Sequence, residues 1–284
     1  MISYFQAVVI GLLQGISELF PVSSLGHSVI LPRLLGWNID QKDPFFLAFL
    51  VATHLATALV LVGFFWKDWV LIVKGLGSSL VSRQINERDP YSKLGWLLVV
   101  GTIPAGILAI LFQDQLRDIF ASPRSAAFFL IFNGFMLYGA EALRKKAKAT
   151  SEEHSDERLA KLTWTQTLGI GTAQAIALIP GFSRSGAAMA GGLVAGLSNE
   201  DAARFSFLLA TPIIGAAALL KVPELFTTEG QHVLGQALVG ALCSGITAYI
   251  AVKFLVRFFE TNRLTPFALY CVTAGALISL YFLV

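Results

Sequence analysis

Three ionisable side chains interrupt otherwise apolar stretches of this sequence: Glu18, His27 and Arg184. An ionisable group inside a bilayer is costly, so each of the three is by default a candidate for function. Glu18 and His27 flank the two serines of Pro21-Val-Ser-Ser-Leu-Gly-His27, and Arg184 lies between two serines in Pro180-Gly-Phe-Ser-Arg-Ser-Gly186. Together these groups can hold a cation, move a proton and bind an anion, which is the chemistry that a phosphate substrate requires.

Both clusters lie where an apolar stretch is broken. Residues 3–36 are broken at 18–24, and residues 165–197 are broken at 180–186. Proline ends the first arm because it lacks an N–H, and serine caps the arm that follows. Each arm has about 14–17 residues and so spans about 21–25 Å, which is less than the roughly 30 Å of a hydrocarbon core. The pattern therefore predicts two re-entrant helical hairpins.

The composition is typical of an integral membrane protein. Of 284 residues, 55% are hydrophobic and 14% are charged, with a mean hydropathy of +0.69. Soluble domains carry about 25% charged residues, so cytosolic enzymes and secreted scaffolds are excluded. A net charge of +3 gives no argument for nucleic acid as a partner. We expect an all-α membrane fold with six transmembrane helices, at 45–66, 94–112, 124–143, 204–222, 233–256 and 265–284.

The two broken segments are related to each other. Gly11-Leu-Leu-Gln14 matches Gly171-Thr-Ala-Gln174, and Gly26 matches Gly186, in each case at a shift of 160. A hairpin followed by three spans therefore occurs twice, in repeat 1 at about 1–144 and repeat 2 at about 164–284. A hydrophilic segment at 144–163 joins them, and we expect it to be a solvated loop. Three crossings separate the hairpins, which predicts an inverted repeat whose broken tips meet near the midplane.

The distribution of basic residues predicts the orientation. With these spans, 15 of the 21 Lys and Arg residues lie on one side, five lie on the other, and Arg184 lies within the membrane. The richer side is expected to face the cytoplasm of a plasma (inner) membrane. The first hairpin then enters from outside.

The two tips together predict an anion site. A new helix begins near Ser24 and another near Ser183, and each presents unpaired N–H groups and a positive dipole end. Facing ends and the fixed fork of a guanidinium suit phosphate or diphosphate. The predicted phosphate-binding residues are Ser23, Gly26, Gln174, Ser183, Arg184 and Ser185.

Neighbouring side chains on each helix predict the remaining chemistry. Gln14 and Glu18 are four residues apart on one helix face, where they would hold Mg²⁺ or Ca²⁺ between the carboxylate and a phosphate. Ser24 and His27 are three apart, so that His27 could act as general base for Ser24 or for a water.

Several simpler interpretations stay open. Glu18 and Arg184 could form a purely structural ion pair, and the serines of the first break could be helix caps alone. The role of His54, which only threonines accompany, is left undecided. Asn133 and Glu141 face no break and are expected to be packing or helix-end residues.

The motifs Gln14-Gly-Ile-Ser-Glu18, Pro21-Val-Ser-Ser-Leu-Gly-His27 and Pro180-Gly-Phe-Ser-Arg-Ser-Gly186 resemble those of the bacterial undecaprenyl-diphosphate phosphatase family, of the bacitracin-resistance type. The resemblance implies a membrane hydrolase that removes the terminal phosphate of undecaprenyl diphosphate, a polyprenyl diphosphate lipid. It also implies dependence on Mg²⁺ or Ca²⁺ and access to the active site from the outer face.

The resemblance assigns roles by position. Gln14 and Glu18 occupy the metal-linked motif, Ser24 and His27 the catalytic serine and histidine, and Ser183 and Arg184 the phosphate-binding pair. The catalytic set is thus Glu18, Ser24, His27 and Arg184. The family pattern commonly ends in threonine where this chain has Ala188, so no threonine role carries over. A lipid-phosphate flippase or anion transporter with the same repeat is the alternative function, and a homodimer is left open.

Overall fold

A computed structural model describes residues 2–86, 89–112, 122–144, 154–228 and 230–283 of the protein. These residues are mainly helical and contain no strand. Two short 3₁₀ segments, Ile176–Leu178 and Val222–Phe226, accompany the α-helices. The α-helices in these residues, in chain order, are α1 (Tyr4–Leu19), α2 (Ser24–Leu34), α3 (Pro44–Phe64), α4 (Trp66–Ser82), α5 (Pro90–Leu111), α6 (Pro123–Leu143), α7 (Ser155–Ala160), α8 (Trp164–Ala175), α9 (Arg184–Val194), α10 (Asn199–Lys221), α11 (Gln231–Thr261) and α12 (Thr265–Tyr281).

Within the described ranges, five helical segments are long and apolar enough to cross a membrane: Pro44–Phe64, Pro90–Leu111, Pro123–Leu143, Asn199–Phe226 and Gln231–Thr261. They correspond to the first five predicted spans. The sixth, 265–284, forms the 17-residue helix α12, which at 1.5 Å per residue is about 25 Å long. The chain is a multi-pass membrane protein. Helices α1 and α12 are shorter apolar helices of 16 and 17 residues.

Helix α4 occupies a stretch to which the sequence analysis assigned no element. It packs against α5, where the backbone of Gly75 lies against Ser92. The indole Nε1 of Trp96 donates a hydrogen bond of 2.8 Å to Ser79 Oγ across the same contact. Outward-facing valines and leucines on α4 stay exposed, as expected for a helix that contacts lipid or an interface.

The same local signals begin the helices of both broken segments. Ser3 caps α1 and Thr163 caps α8, and in each case a glutamine three residues later closes a capping box. Ser23 caps α2 and Ser183 caps α9, each accepting from the N–H of a glycine. All of these pairs are related by the shift of 160. As predicted, new helices begin beside Ser24 and Ser183, although the first cap is Ser23.

Each broken segment packs against a span from the other half of the chain. A Cβ on Gly11 of α1 would lie 2.3 Å from the carbonyl oxygen of Gly240 in α11. A Cβ on Gly171 of α8 would lie 2.3 Å from the carbonyl oxygen of Gly101 in α5. Equivalent glycines thus permit equivalent close backbone contacts. Because α1 packs on α11 and α8 packs on α5, each half of the chain packs against the broken segment of the other half.

The segment 144–163 is not wholly a solvated loop. Residues 145–153 lie outside the described part of the chain, but 155–160 form α7, with Leu159 fully buried. Arg158 donates to both carboxylate oxygens of Asp201 in α10, at 2.7 and 2.9 Å. The expectation is therefore wrong for this part, because a buried leucine and a bidentate ion pair fix α7 to α10.

Candidate functional site

The two breaks lie directly against each other. Ser185 Oγ donates to the carbonyl oxygen of Phe20 at 3.2 Å. Asn133 of α6 bridges both breaks, since its Nδ2 donates to the carbonyl of Pro21 at 3.0 Å and its Oδ1 accepts from the Ser183 N–H at 2.9 Å. The expectation that Asn133 faces no break is wrong. Sequence spacing could not reveal the contact, because α6 reaches the breaks only through tertiary packing.

Glu141, in contrast, behaves as expected of a helix-end residue. Its Oε2 accepts hydrogen bonds from Asn199 Nδ2 at 2.9 Å and from the backbone N–H of Leu264 at 3.0 Å. It thereby connects the end of α6 to α10 and to the start of α12, away from both breaks.

The carboxylate of Glu18 is the centre of the site. It is buried, and its Oε1 accepts from Arg184 Nη2 at 2.9 Å and from Arg184 Nε at 3.3 Å. Its Oε2 accepts from Ser24 Oγ at 2.6 Å and from Gln14 Nε2 at 3.0 Å, and lies 3.2 Å from His54 Nε2. The ion pair between the two breaks is therefore present, but it belongs to a larger cluster that includes a hydroxyl and an imidazole.

The imidazole beside Glu18 is that of His54, not His27. His54 belongs to α3, and its Nδ1 lies 2.7 Å from the carbonyl oxygen of Leu50, so its other nitrogen is directed at the carboxylate. From the sequence, the role of His54 is undecided. An ionisable group in the middle of an apolar span was the signal that could have selected it.

His27 lies elsewhere. Its Nδ1 is 2.7 Å from the carbonyl oxygen of Ser23, and its Nε2 is 2.7 Å from the hydroxyl of Tyr270. No hydrogen bond joins it to Ser24 among the described residues, and Ser24 donates to Glu18 instead. The pairing of Ser24 with His27 expected from their spacing is therefore not observed, since both ring nitrogens have other partners.

A cavity of about 230 Å³ opens beside this cluster. Its polar end is formed by six side chains: Glu18, Ser24, His54, Gln174, Ser183 and Arg184. The rest of its wall is apolar and includes Leu47, Val51, Phe182, Ile213 and Ala217. One end can therefore bind a charged headgroup while the wall contacts hydrocarbon.

The other predicted phosphate-binding residues support the breaks from outside the cavity lining. Ser23 and Gly26 form the cap of α2, and a Cβ on Gly26 would meet the backbone of Gly181 at 3.2 Å. Ser185 Oγ lies 3.0 Å from Ser183 Oγ. The structure thus brings all of these residues to the breaks. Ser23, Gly26 and Ser185, however, contact backbone groups of the breaks and do not line the cavity.

Two buried amide oxygens at the site have no hydrogen-bond partner among the residues that the structure describes. Gln14 Oε1 is one, although Gln14 Nε2 donates to Glu18. Gln174 Oε1 is the other, and its Nε2 donates to the carbonyl of Gly101 at 3.0 Å. An unsatisfied buried acceptor is costly, so each of these oxygens is suited to a ligand, a water or a cation. Among the described residues, no group of three or more His, Cys, Asp and Glu could hold a metal ion.

Fold and site together define a multi-pass membrane protein with a carboxylate, serine, imidazole and guanidinium at the polar end of an apolar cavity. The chain belongs to the bacitracin resistance protein BacA family, whose model matches residues 7–277.

Its relatives carry a consistent name. It is 48% identical to the undecaprenyl-diphosphatases of Mycolicibacterium paratuberculosis (strain ATCC BAA-968 / K-10) and Mycobacterium avium (strain 104), over 96% of this chain and 95% of each relative. It is 44% identical to undecaprenyl-diphosphatase 1 of Burkholderia pseudomallei (strain K96243), over 94% of this chain and 93% of that protein.

Proposed function

We propose that this protein hydrolyses undecaprenyl diphosphate to undecaprenyl monophosphate and inorganic phosphate, and so recycles a lipid carrier for cell-wall synthesis. The family and the names of its relatives support this activity. The single observation that carries it is the hydrogen bond of 2.6 Å from Ser24 Oγ to Glu18 Oε2 at the polar end of the cavity. A serine hydroxyl bonded to a carboxylate is arranged as a nucleophile with its base.

Ser24 attacks the terminal phosphorus while Glu18 accepts its proton. The bond from that phosphorus to the bridging oxygen breaks, and the lipid monophosphate leaves with the bridging oxygen. A water then attacks the phosphorus of the phosphoserine, and the bond from that phosphorus to Ser24 Oγ breaks. Ser24 Oγ takes back the proton held by Glu18, and the phosphorus leaves as inorganic phosphate with the water oxygen. Direct attack by a water that Glu18 activates is the variant of this scheme without a phosphoserine. Trapping of a labelled phosphoserine distinguishes the two.

Arg184 binds the phosphates. Its guanidinium already lies in the cluster, with Nη1 3.5 Å from the carbonyl of Ser206 and the other nitrogens on Glu18. A diphosphate at the polar end takes hydrogen bonds from this fork and from the first N–H groups of α2 and α9. These donors stabilise the oxygens on which negative charge increases during transfer.

Gln14 and Glu18 fit a hard divalent cation, Mg²⁺ or Ca²⁺. The test is the buried Gln14 Oε1, an oxygen without a partner beside a carboxylate. The protein supplies few ligands, which suits an ion that also takes phosphate oxygens and water. When bound, the cation neutralises phosphate charge.

We place the chain in the bacterial inner membrane with its site open to the outer face. The 15-to-5 distribution of Lys and Arg supports this orientation. The equivalent contacts of α1 with α11 and of α8 with α5 support an inverted repeat of two re-entrant hairpins, each followed by three spans. All of the proposed chemistry comes from one chain, so a homodimer would not be needed for catalysis.

Phosphate release by the purified protein tests the proposal. In detergent there are no two compartments, so a flippase or an anion transporter would give no signal. We expect phosphate release from undecaprenyl diphosphate, and a loss of about 100-fold or more in Arg184→Ala, because a charged donor to the developing charge is removed. Arg257→Ala, an exposed arginine on α11, is the matched control. Equal release by all three proteins would refute the assignment.

A further inference from the structure

The ring of His27 is held at both nitrogens. The carbonyl oxygen of Ser23 can only accept, so Nδ1 carries the hydrogen of that 2.7 Å bond. In the neutral ring Nε2 then accepts from the hydroxyl of Tyr270, also at 2.7 Å. The two rings stack with their planes 14° apart and their centroids 5.8 Å apart. The basic nitrogen of His27 is therefore occupied by a residue of α12.

The carbonyl that His27 binds belongs to a strained residue. Ser23 has φ 70° and ψ 90°, and Arg83 is the other non-glycine residue with positive φ in the described part of the chain. Side chains disfavour this region, and residues held there cluster at functional sites. At Ser23 the backbone turns from the first arm into α2. That turn places the Ser24 hydroxyl on Glu18.

We propose that Tyr270 and His27 act as a clamp on the Ser23 carbonyl, and that His27 is a positioning residue for Ser24 rather than its base. The chain of contacts runs from Tyr270 Oη to His27 Nε2, and from His27 Nδ1 to Ser23 O. It keeps the backbone at positive φ and thereby keeps the neighbouring hydroxyl on the carboxylate. This inference rests on the proposed hydrolysis for its kinetic test and is independent of it for its stability test.

Isosteric substitution separates the two roles. The side-chain amide of His27→Asn places an N–H where Nδ1 lies but has no basic nitrogen. We expect His27→Ala to lower kcat for phosphate release by about 100-fold, because a misplaced reactive group costs that much. His27→Asn should stay within about fivefold of the starting protein, and Tyr270→Phe should lose about fivefold, the effect of one hydrogen bond. His154→Ala, an exposed histidine, is the matched control.

Relief of the backbone strain is the second arm of the test. Glycine adopts positive φ without penalty and is a tolerable N-cap. In the His27→Ala protein, Ser23→Gly should restore at least about tenfold in kcat, because glycine adopts the positive φ without the clamp. The same change should raise the melting temperature of the starting protein by several degrees and that of the His27→Ala protein by less, because the clamp holds the strained backbone only in the starting protein.

The outcomes are distinct. Equal losses in His27→Asn and His27→Ala, with no rescue by Ser23→Gly, would overturn the clamp and restore His27 as a base. A starting protein that releases no phosphate would refute the proposed function alone. In that case the melting temperatures of the starting protein, the two single variants and the double variant would still test the clamp. If the shifts of His27→Ala and Ser23→Gly simply added in the double variant, the clamp would be contradicted.

Discussion

Replacing Asn133 with alanine removes the one side chain, among the residues that the structure describes, that holds both breaks by hydrogen bonds to their backbones. Asn133 is fully buried in α6. It donates to the carbonyl of Pro21 in the first break and accepts from the N–H of Ser183 in the second, at 3.0 and 2.9 Å. Alanine is a better helix former, so the helix itself is not weakened. The amide also lies 3.3 Å from Cys271 Sγ, which is a weak acceptor, so the loss reports chiefly on the contact between the breaks.

The size of the effect follows from the two backbone groups that lose their partner. A buried donor or acceptor left unsatisfied costs about 1–3 kcal/mol, which gives about 2–6 kcal/mol for both. Cys271 Sγ lies 3.8 Å from the same carbonyl of Pro21 and offers it a weak donor, so the lower end applies. If about 2 kcal/mol of the free energy that holds the two breaks together is lost, and all of it is needed to form the reactive arrangement, the rate of phosphate release drops by up to about 30-fold.

Phosphate release and thermal unfolding of the purified protein in detergent measure this prediction. We expect Asn133→Ala to lower both the rate and the melting temperature. Asn262→Ala is the matched control, since that amide is exposed and its side-chain hydrogen bonds within the described part of the chain go to Phe258 and Thr261, near the end of α11. If Asn133→Ala matched the control in rate and melting temperature, the claim that this amide fixes the two breaks would be refuted.

Three further predictions follow from the same contacts. Gly171→Ala should lower the melting temperature by the equivalent of about 1–3 kcal/mol, because its Cβ would meet the backbone of Gly101. A Cβ on Gly169 would have nothing within 4 Å, so Gly169→Ala should leave the melting temperature unchanged or raise it. Equal effects of the two changes on thermal unfolding would contradict the close helix contact. Ser24→Ala should lower phosphate release about 100-fold or more if the hydroxyl is the nucleophile, and retention of most activity would favour water. Chelation of divalent cations should stop release, and single additions of Mg²⁺ or Ca²⁺ should restore it; insensitivity to a chelator would exclude the proposed cation.

The elements of the site could be predicted because local signals specify them. Serine before a glycine-containing helix start predicted where α2 and α9 begin. Proline predicted the end of α1 to within two residues, whereas α8 already ends at Ala175 and a 3₁₀ segment, Ile176–Leu178, leads to Pro180. The shift of 160 that relates Gly11 to Gly171 also indicated that the two broken segments are equivalent. These features depend on a few neighbouring residues, so spacing alone is informative.

Residues that reach the site from distant helices through tertiary packing could not be predicted from local spacing. His54 and Asn133 come from α3 and α6, spans that have no break of their own. The intramembrane histidine is a local signal for function, but its partner Glu18 is not visible in the sequence around it. The sequence pattern of an apolar helix does not indicate which of its faces contacts the breaks. For the same reason the three-residue spacing of Ser24 and His27 was misleading, because a hydroxyl and an imidazole on one helix face can each find a partner on another helix.

The most direct test of the account is to quantify both products that the purified protein forms from undecaprenyl diphosphate, alongside the Glu18→Gln protein. We predict equal amounts of inorganic phosphate and undecaprenyl monophosphate from the starting protein. Glu18→Gln should reduce both by about 100-fold or more, because the amide cannot take the proton of Ser24. Lipid that stays intact, or unchanged cleavage by Glu18→Gln, would contradict the claim that this carboxylate and serine perform the hydrolysis.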